Sequence, residues 1–382
     1  MVRSPAVRIL LDYRPALRQR SGVGEYVLGL ARALTQTAVD DEITLFSSSW
    51  RDRLGSEMVS GAEVVDRRFP VRLLNLGWHR FEWPPVELLT GQSYDVVHSP
   101  HPLLLPARDA AQVVTVHDLD FLSHPERTER EVRRDYPALA EAHAHRADLL
   151  VVNSAYTQGE VHQRLGIPED RITVCRPGGP DWEPRTETPD GGYVLFLGTL
   201  EPRKNVGGLL EAWRRVIARK PDAPELVLAG RATAAASGWL QELKQAPLAG
   251  RARHLGYVSD AERAALYRGA RLLVLPSFEE GFGLPALEAM TVGVPVVAAN
   301  RGGVPEVLGD AGVLVDPDDP EDLAAGLLKM LNDDSFARAC GARGRRRAGL
   351  FNWTASARAL RTAYERALAN RQERRSRERR GR

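Results

Sequence analysis

Two glutamates in a glycine-containing segment are the residues of this chain best placed to do chemistry. Seven residues separate Glu280 from Glu288, and Pro285 between them is typical of the first position of a helix. The preceding apolar run, Leu272–Leu275, predicts a buried strand. A strand, a glycine loop and a helix start point backbone N–H groups and a positive helix end at one place. Such a place suits an anion or a set of hydroxyl groups, with Glu280 on the loop and Glu288 in the first helical turn.

A pair of cations follows another predicted strand, Tyr193–Leu197. Arg203 and Lys204 come at the start of the predicted helix Asn205–Arg219, where they can hold a diphosphate by charge-assisted hydrogen bonds. The alternative is a solvated turn that carries two cations, and a basic pair alone does not decide between them.

A histidine ends a third predicted strand. His117 follows the run Val113–Val116, and a histidine there can donate to a substrate hydroxyl or exchange a proton. The alternative is an unreactive structural histidine, since the chain has nine histidines.

Two glycines lie near the start of the chain, before the predicted helix Gly24–Thr35. Gly22 and Gly24 allow close approach of the backbone to a ligand, or else form a flexible turn. Val27 stands where the third glycine of a dinucleotide fingerprint belongs, which argues against an NAD-binding domain.

Other segments have two interpretations each. Arg231, Tyr257 and Val258 line a nucleotide pocket in one interpretation and are ordinary cap and surface residues in the other. The stretch Trp78–Pro85 suits sugar stacking or a membrane interface, although simple packing beneath a loop is slightly favoured.

Short apolar runs alternate with longer mixed segments in both halves of the chain, which predicts two parallel-sheet α/β domains. The predicted strands are Val7–Leu11, Ile43–Ser47, Val96–His98, Val113–His117, Leu149–Val152, Ile172–Val174, Tyr193–Leu197, Leu226–Ala229, Leu272–Leu275 and Val294–Ala298. The predicted helices include Gly24–Thr35, Asp135–Arg146, Asn205–Arg219, Asp260–Tyr267 and Pro285–Thr291. Ligands of such sheets bind beyond the carboxyl ends of the strands, where most of these motifs lie.

Composition indicates a globular protein. The chain has 382 residues, of which 43% are hydrophobic and 27% charged. Its two cysteines, Cys175 and Cys340, suggest neither a disulfide framework nor a metal cluster, so we expect a reducing cytoplasm. No apolar run approaches the roughly 18 residues of a membrane span. The run Val7–Leu11 suits a first strand better than a signal peptide.

The C-terminal end is strongly basic. Residues 371–382 hold seven arginines and two glutamates, a charge of +5. Since the net charge of the chain is +2, the other residues together carry −3. A solvated, disordered tail is the simplest interpretation, and contact with anionic lipid head groups at the inner membrane face is the alternative. Nucleic acid is disfavoured because no aromatic residue is interleaved with the arginines.

Taken together, these motifs resemble family 4 of the retaining glycosyltransferases, and within it the bacterial mannosyltransferase-like enzymes of polysaccharide assembly. The most specific match is Glu280–Pro285 followed by Glu288–Met290. Supporting matches are Val116–Leu119, Glu201–Asn205 and Gly256–Asp260.

The resemblance implies the α/β fold called GT-B, in which two Rossmann-like domains face a cleft. On this basis we expect an acceptor-side domain at residues 1–180, a linker at 181–191 and a nucleotide-sugar domain at 192–350. A helix at 351–368 would cross back to the first domain, and 369–382 would be a basic disordered tail.

The resemblance also implies roles by position. Lys204, with an arginine nearby, would neutralise the diphosphate of a sugar nucleotide. Glu280 and the amides of Phe282, Gly283 and Leu284 would hold sugar hydroxyls, and Glu288 would bind the ribose. His117 would contact the sugar near C6, and Gly22 and Gly24 would let their loop close on the donor.

One position departs from the family pattern. Many relatives have an arginine five residues before the lysine, and this chain has Thr199 there. Arg203 is the candidate to supply the missing charge. We expect no metal or cofactor, and leaving-group stabilisation by Arg203, Lys204 and helix N-termini. The family implies same-face attack, in which Glu280 positions the sugar rather than acting as a nucleophile.

We therefore expect a retaining hexosyltransferase that uses a GDP- or UDP-linked sugar, with mannose slightly favoured, and a glycan or lipid-linked acceptor. The alternatives are a sugar-nucleotide epimerase of the same architecture and a non-catalytic binding subunit. The presence of Lys204, Glu280 and Glu288 argues against the last.

Overall fold

The computed structural model describes two units. It describes residues 6–17, 22–37, 40–50, 52–55, 59–124, 130–189 and 191–380, with the backbone alone at 130–135. The first unit combines Met1–Gly178 with Asn352–Arg382, and the second is Gly179–Phe351.

The described part of the first unit contains one parallel sheet of seven strands, in the order β3-β2-β1-β4-β5-β6-β7. The strands are β1 (Arg8–Asp12), β2 (Glu42–Ser48), β3 (Glu63–Arg67), β4 (Val96–Ser99), β5 (Ala111–Val116), β6 (Leu149–Val152) and β7 (Ile172–Val174). The central strands are runs of Val, Ile and Leu because helices cover both faces of the sheet. From β1 the chain builds the sheet outward on one side through β2 and β3, and then returns to build the other side from β4. The boundary between β1 and β4 is therefore a topological switch point, where the loops after these two strands diverge.

Helices cover this sheet. They are α1 (Gly22–Thr37), α2 (Val71–Phe81), α3 (Val86–Thr90), α4 (Asp120–Ser123), α5 (Arg130–Arg146), α6 (Ala155–Leu165) and, after the second unit, the last helix (Trp353–Arg380). The apolar face of α1 and that of the last helix share one core, in which Tyr26 and Leu30 lie with Leu360 and Tyr364.

The second unit contains a parallel sheet of six strands within its described residues, in the order β10-β9-β8-β11-β12-β13. The strands are β8 (Tyr193–Leu197), β9 (Leu226–Ala229), β10 (Ala252–His254), β11 (Ala270–Leu275), β12 (Val296–Ala299) and β13 (Gly312–Val315). The helices are α7 (Val206–Arg219), α8 (Ser237–Glu242), α9 (Asp260–Gly269), α10 (Leu284–Val292), α11 (Val304–Leu308), α12 (Pro320–Asn332) and α13 (Asp334–Ala348), and the last helix of the chain is therefore α14. The switch point of this sheet lies between β8 and β11.

The expectation of two parallel-sheet α/β domains is confirmed, and the predicted strands lie within about two residues of the observed ones at each end. Three strands were not predicted: β3, β10 and β13. Of these, β3 and β10 contain charged residues, and β13 is only four residues long.

The predicted linker, residues 181–191, lies inside the second unit rather than between the units. The Trp182 ring packs 5.7 Å from that of Tyr267, and the Arg185 amide donates to the Val292 carbonyl at 3.1 Å. An aromatic contact and a backbone hydrogen bond therefore hold a segment whose composition suggested flexibility; residue 190 is outside the described residues.

The expectation of a disordered tail is wrong over residues 369–380, because α14 continues to Arg380. Asn370 donates to the Asp148 carbonyl at 2.9 Å, and Arg374 pairs with the Asp148 carboxylate at 2.7 Å. Arg371 and Arg375 also donate to carbonyls of the first unit. Several arginines that looked like a solvated charge run therefore attach the helix to its own unit.

The beginning of α14 is packed closely. A Cβ at Gly29 of α1 would lie 2.4 Å from the Trp353 ring, and one at Gly178 would lie 2.4 Å from the Trp353 nitrogen. Further along, the Tyr364 hydroxyl lies 2.8 Å from Nδ1 of His98, which is fully buried. A larger side chain at Gly29 or Gly178 would therefore push the beginning of α14 away from the rest of the first unit.

Within the described residues, no helix combines the length and the apolar character needed to cross a bilayer.

Candidate functional site

The best-formed candidate site lies at the switch point of the second sheet, where the loops after β8 and β11 meet. Lys204 ends a short 3₁₀ turn, Pro202–Lys204, and Glu280 lies on the loop that leads to α10. The Lys204 ammonium lies 2.5 Å from Oε1 of Glu280, and the Ser277 hydroxyl donates to the same oxygen at 2.8 Å. The structure thus brings together two residues that are 76 positions apart in the chain.

Arg203 lies on the other side of the same carboxylate. Its Nη1 is 3.8 Å from Oε2 of Glu280 and donates to the Glu279 carbonyl at 3.0 Å, while Nη2 donates to Glu201 at 3.1 Å. Two cations therefore face two carboxylates, and the group of four carries no net charge. Arg203 thus lies beside the same carboxylate as Lys204, and its role in place of a cation at Thr199 stays a prediction.

Burial and charge act against each other on Glu280. The residue is only 7% exposed, and burial alone would raise the pKa of its carboxyl group. The positive charges of Lys204 and Arg203 outweigh burial and hold the pKa below its ordinary value. Glu280 is therefore ionised at neutral pH and acts as a hydrogen-bond acceptor.

Asn205 connects the loops that carry these charges. Its side chain accepts from the Gly208 amide at 3.2 Å, which caps α7, and donates to the carbonyls of Pro276 and Pro317 at 3.1 and 2.7 Å. Asn205 has a left-handed backbone, φ 54°, which asparagine tolerates better than most residues. The Phe278 amide also donates to the Arg203 carbonyl at 2.9 Å. The positions of Lys204 and Glu280 are thus fixed relative to each other through the backbone.

Two glycines after β12 pack against the backbone of the Glu280 loop. A Cβ at Gly302 would lie 2.4 Å from the Glu280 carbonyl oxygen, and one at Gly303 would lie 2.2 Å from that of Gly281. The Gly303 amide donates to the Glu280 carbonyl at 2.7 Å. The Glu280 loop therefore packs directly against the backbone of Gly302 and Gly303, with no side chain between them.

The predicted sugar-holding amides lie where this loop enters α10. Gly283 precedes the helix with φ 100°, Leu284 is its first residue, and Phe282 is buried with its ring 5.7 Å from that of Phe351. The first amides of a helix have no acceptor within the helix, so this end suits an oxygen-rich ligand.

Glu288 is the fifth residue of α10, so the expectation of a first-turn position is wrong. Its carboxylate is buried: Oε2 accepts from the Tyr267 hydroxyl at 2.8 Å, and Oε1 lies 3.6 Å from Arg263. Arg263 also lies 5.5 Å from the Trp182 ring centre. Burial, followed by the Glu288 charge, raises the pKa of Tyr267 well above its usual range, so this phenol stays protonated and donates.

The remaining nucleotide-pocket candidates of this unit are less enclosed. The side chains of Arg231 and Tyr257 are exposed, and Val258 packs partly against the core of the unit. The Arg231 carbonyl accepts from the Leu200 amide at 2.8 Å, so its backbone helps to position the loop after β8.

His117 lies in the first unit, after β5. Its Nε2 is 3.0 Å from the Pro100 carbonyl, and its ring meets that of Tyr26 edge-on at 5.1 Å. A carbonyl only accepts, so Nε2 carries the proton. Burial lowers the pKa of His117, so the ring is neutral at pH 7 and its Nδ1 is an acceptor rather than a donor.

Gly22 and Gly24 are not in a loop. Both lie in the first turn of α1, which begins two residues earlier than predicted, and Gly24 is buried. Ser21, which precedes them, is outside the described residues.

A buried ion pair at the switch point of the first sheet was not predicted. Asp12, at the end of β1, is fully buried and accepts from Arg14 at 2.7 Å and from Nε2 of His101 at 3.3 Å. The Arg14 guanidinium also lies 4.6 Å from the Trp78 ring centre. Burial opposes ionisation of Asp12, but its two partners hold the pKa far below the ordinary value.

Other residues around Glu280 and Glu288 were also missed. Asn205 ends the matched motif Glu201–Asn205, and Ser277 comes three residues before the motif that begins at Glu280, so both lay next to predicted site residues. Arg263 and Tyr267 are four residues apart on one predicted helix, but nothing in their spacing indicates a contact with Glu288. Among the side chains that the structure describes, no group of three or more His, Cys, Asp or Glu could hold a metal ion.

Comparison with known proteins gives two family matches. Residues 181–347 match the model described as glycosyl transferases group 1, and residues 20–181 match the model described as Glycosyltransferase Family 4. O-antigen chain mannosyltransferase B of Escherichia coli is 31% identical over 376 residues, which cover 91% of this chain and 96% of that protein.

Solved structures resemble the whole chain. Sucrose-phosphate synthase from Thermosynechococcus elongatus has a TM-score of 0.73 at 22% identity and covers 96% of this chain and 100% of its own. HepE from Anabaena, solved in complex with UDP and glucose, has a TM-score of 0.68 at 18% identity and covers 94% of this chain and 99% of its own.

Proposed function

Because this chain belongs to glycosyltransferase family 4 and has the GT-B fold, we propose that it is a retaining enzyme that moves a hexose from a nucleotide sugar to a glycan or lipid-linked acceptor. Mannose is the favoured sugar, which the name of the Escherichia coli relative supports. The complex of HepE with UDP and glucose supports a nucleotide-sugar donor. By this proposal the chain contributes to polysaccharide or glycolipid synthesis.

The observation that carries the proposal is the contact between Lys204 and Glu280 at the switch point of the second sheet. The ammonium and the carboxylate come from two loops and lie 2.5 Å apart beside the start of α10. A cation, a fixed carboxylate and helix amides are what a molecule with a diphosphate at one end and sugar hydroxyls at the other requires.

The mechanism we propose depends on stabilising the leaving group. As the bond between the sugar and the diphosphate breaks, negative charge grows on the phosphate oxygens, and Lys204 and Arg203 stabilise it. The amides of Phe282, Gly283 and Leu284 and the Glu280 carboxylate hold the sugar hydroxyls, and Glu288 binds the ribose. The departing phosphate takes the acceptor proton on the same face of the sugar, so Glu280 forms no covalent intermediate.

In the absence of donor, Glu280 neutralises Lys204. Donor binding would then replace part of this contact by phosphate oxygens and leave Glu280 to accept from a sugar hydroxyl. Before the donor binds, Lys204 and Arg203 hold the pKa of Glu280 below its ordinary value, so the carboxylate is an acceptor. His117, neutral and with an acceptor at Nδ1, suits a sugar hydroxyl that donates, such as one near C6.

The experiment is a screen of GDP- and UDP-linked sugars by thermal shift, followed by assays of nucleotide release with and without acceptor glycans. A bound donor at about 100 times its Kd should stabilise the protein by about 2.7 kcal/mol. Acceptor-dependent release with retained anomeric configuration, read by NMR, is the expected result. Release of nucleotide with a free epimerised sugar would indicate the epimerase instead. Binding without any release would indicate a binding subunit.

A further inference from the structure

The second unit has a cavity at the amino ends of its strands β11 and β12. Leu272, near the start of β11, lines it, and so does Pro295, which directly precedes β12. Glu280 follows the carboxyl end of β11, so most of the length of that strand, which spans roughly 20 Å, lies between the cavity and the candidate site. A ligand in this cavity would therefore bind apart from a sugar nucleotide at Lys204 and Glu280.

Part of the cavity wall is apolar. The buried side chains of Leu272, Pro295 and Met330 contribute to it, the last from α12. The cavity has a volume of about 170 Å³. A cavity of about 150 Å³ is large enough to hold benzene, so this one has room for a small organic group.

The charged side chains of the cavity are mostly cationic. Three arginines line it, Arg185, Arg271 and Arg338, and among the described residues Asp334 is the one carboxylate that does so. These four side chains together carry a formal charge of +2. Because Arg271 pairs with Asp334 at 2.8 Å, the excess charge belongs to the other two arginines.

Arg185 is held in place without a counter-ion. Its Nη1 donates to the Ala270 carbonyl at 2.5 Å, and no carboxylate in the described part of the chain lies within ion-pair distance of its guanidinium. Burial, followed by the charge of Arg271, lowers the pKa of Arg185 to about 10, so the group remains charged at neutral pH. A partly buried charge without a partner is unfavourable, and an anion in the cavity would offset that cost.

Arg338 is the second uncompensated cation. It lies on α13, four residues after Asp334, and its side chain is exposed. No carboxylate of a described residue is close enough to pair with it. Thr188, also exposed, adds a hydroxyl group to the lining. The cavity therefore offers several hydrogen-bond donors to a ligand that enters from solvent.

A structural role explains only part of this arrangement. The bond from Arg185 to the Ala270 carbonyl attaches residues 182–189 to the sheet, but a neutral donor would do the same without the repulsion from Arg271. Attachment also leaves the cavity beside Arg185 without a purpose. An anionic ligand accounts for the uncompensated charge and for the cavity together.

We propose that this cavity binds a small phosphomonoester, with its phosphate on Arg185 and Arg338 and its organic part against Leu272 and Met330. Guanidinium groups bind phosphate oxygens through paired N–H donors. A phosphomonoester carries a charge of about −1.5 to −2 at neutral pH, which matches the excess of the lining, whereas a single carboxylate would leave one arginine uncompensated. The proposal does not depend on which donor, sugar or acceptor the protein uses.

The test is NMR spectroscopy of the full chain labelled with ¹³C in its methionine methyl groups, titrated with phenyl phosphate. Of the two described methionines, Met330 lines the cavity and Met290 lies in the core beneath α10. The phenyl ring should shift the Met330 signal, assigned with Met330→Leu, in a saturable way and leave that of Met290 in place. Inorganic phosphate should bind about tenfold more weakly or less, because it buries no apolar surface.

The charge of the cavity is tested with Arg338→Glu. This substitution should weaken the binding of phenyl phosphate by about tenfold or more, the usual effect of losing a hydrogen bond to a charged group. Arg338 is exposed, so circular dichroism and the thermal midpoint without ligand should stay unchanged. Arg346→Glu is the matched control, since Arg346 is exposed on the same helix but does not line the cavity, and it should bind like the unsubstituted protein.

Lys204→Ala separates this cavity from the candidate site. The variant should give the same Met330 shift and the same affinity for phenyl phosphate as the unsubstituted protein. Loss of the shift in Lys204→Ala would assign the phosphate to the candidate site and overturn the proposal.

Three further results would overturn it. One is the absence of a saturable Met330 shift in the unsubstituted protein. The second is equal affinity of Arg338→Glu and the unsubstituted protein for phenyl phosphate. The third is binding of phenol as tight as that of phenyl phosphate, which would make the cavity an apolar one in which the arginines have no part.

Discussion

At the scale of single residues, the pair formed by Lys204 and Glu280 determines what the candidate site can do. The Lys204 ammonium lies 2.5 Å from the buried Glu280 carboxylate and, with Arg203, holds the pKa of that carboxyl group below its ordinary value. In the mechanism we propose, a phosphate oxygen competes for Lys204 and a sugar hydroxyl competes for Glu280, so the pair supplies one group for each half of the donor.

Lys204→Ala should lower kcat for sugar transfer by about 10² to 10³, the usual effect of removing one group that stabilises charge in a transition state. The measurement is nucleotide release at saturating donor, with circular dichroism to show that the fold is kept. Lys220→Ala is the control, because Lys220 pairs at the surface with Asp222 in the same unit. Unchanged turnover of Lys204→Ala would remove this residue from the mechanism.

Glu280→Gln should show a stability defect that depends on pH. The folded protein holds the pKa of Glu280 below its ordinary value of 4.5, so the ionised form stabilises the native state above that pH. This contribution is lost as the pH falls through the lowered folded-state pKa. The difference in free energy of unfolding between variant and unsubstituted protein, from urea titrations, should thus shrink with acidification below pH 4.5.

The exposed Glu187→Gln of the same unit serves as the reference and should match the unsubstituted protein at every pH. A difference for Glu280→Gln that stays constant on acidification would contradict the proposed ionisation.

The sequence is informative about Lys204 and Glu280 because each follows an apolar run closely, and ligands of parallel sheets collect at strand ends. It is silent about their direct contact, which depends on β8 and β11 being neighbours in the sheet. The partners of Glu288 were missed for a similar reason: Tyr267 and Arg263 reach it only because α9 and α10 pack together.

At the scale of elements, the site depends on how closely the loop after β12 supports the loop that carries Glu280. The amide of Gly303 bonds to the Glu280 carbonyl, and neither Gly302 nor Gly303 leaves room for a side chain. The predicted pattern of strand, glycine loop and helix explains where this loop begins and ends. The support could not be predicted, because it joins two loops across neighbouring strands.

Gly303→Ala should displace the Glu280 loop. The backbone of Gly303 has φ −79°, which alanine adopts freely, so the effect is steric: the new Cβ would lie 2.2 Å from the Gly281 carbonyl oxygen. We expect kcat/KM to fall by up to about a hundredfold, as misplacement of a binding group by about 1 Å does. Donor titrations and steady-state kinetics measure it.

Gly238→Ala in α8 is the matched control, since a Cβ there meets no atom within 4 Å. It should leave kcat/KM unchanged. Full activity of Gly303→Ala would show that the loop does not need this support.

Two short strands could not be predicted from the pattern of apolar residues. The strand β3 reads Glu-Val-Val-Asp-Arg, and β10 contains Arg253 and His254, so neither has an apolar run. Both lie at an edge of their sheet, where only one neighbour is needed and one face can meet water. Central strands such as β6 are fully buried, and the sequence predicts them correctly.

At the scale of the whole molecule, α14 completes the first unit from the far end of the chain. Its buried residues, among them Leu360 and Tyr364, lie in the same core as α1. The basic composition of its last turns suggested disorder, because a charge run has little apolar surface to bury. Carbonyl groups and the Asp148 carboxylate of the first unit supply partners that composition cannot reveal.

Ending the chain after Leu368 should therefore destabilise the first unit, whereas a disordered tail would be dispensable. Asp148 is 3% exposed and would lose both Asn370 and Arg374, and leaving a buried acceptor without its partner costs about 1–3 kcal/mol. Thermal unfolding measures the loss. Ending the chain after Ser376 is the control, because it keeps both contacts; equal midpoints for the two truncations would contradict the docked helix.

The insertion of the second unit between two parts of the first has a consequence for biosynthesis. Domains generally fold as units while the chain emerges from the ribosome, the N-terminal one first. Here residues 179–351 form a continuous unit, whereas the earlier residues lack α14 until residues 353–380 have been synthesised. We expect the nascent chain to complete its second unit before its first, with the apolar side of α1 uncovered during that interval.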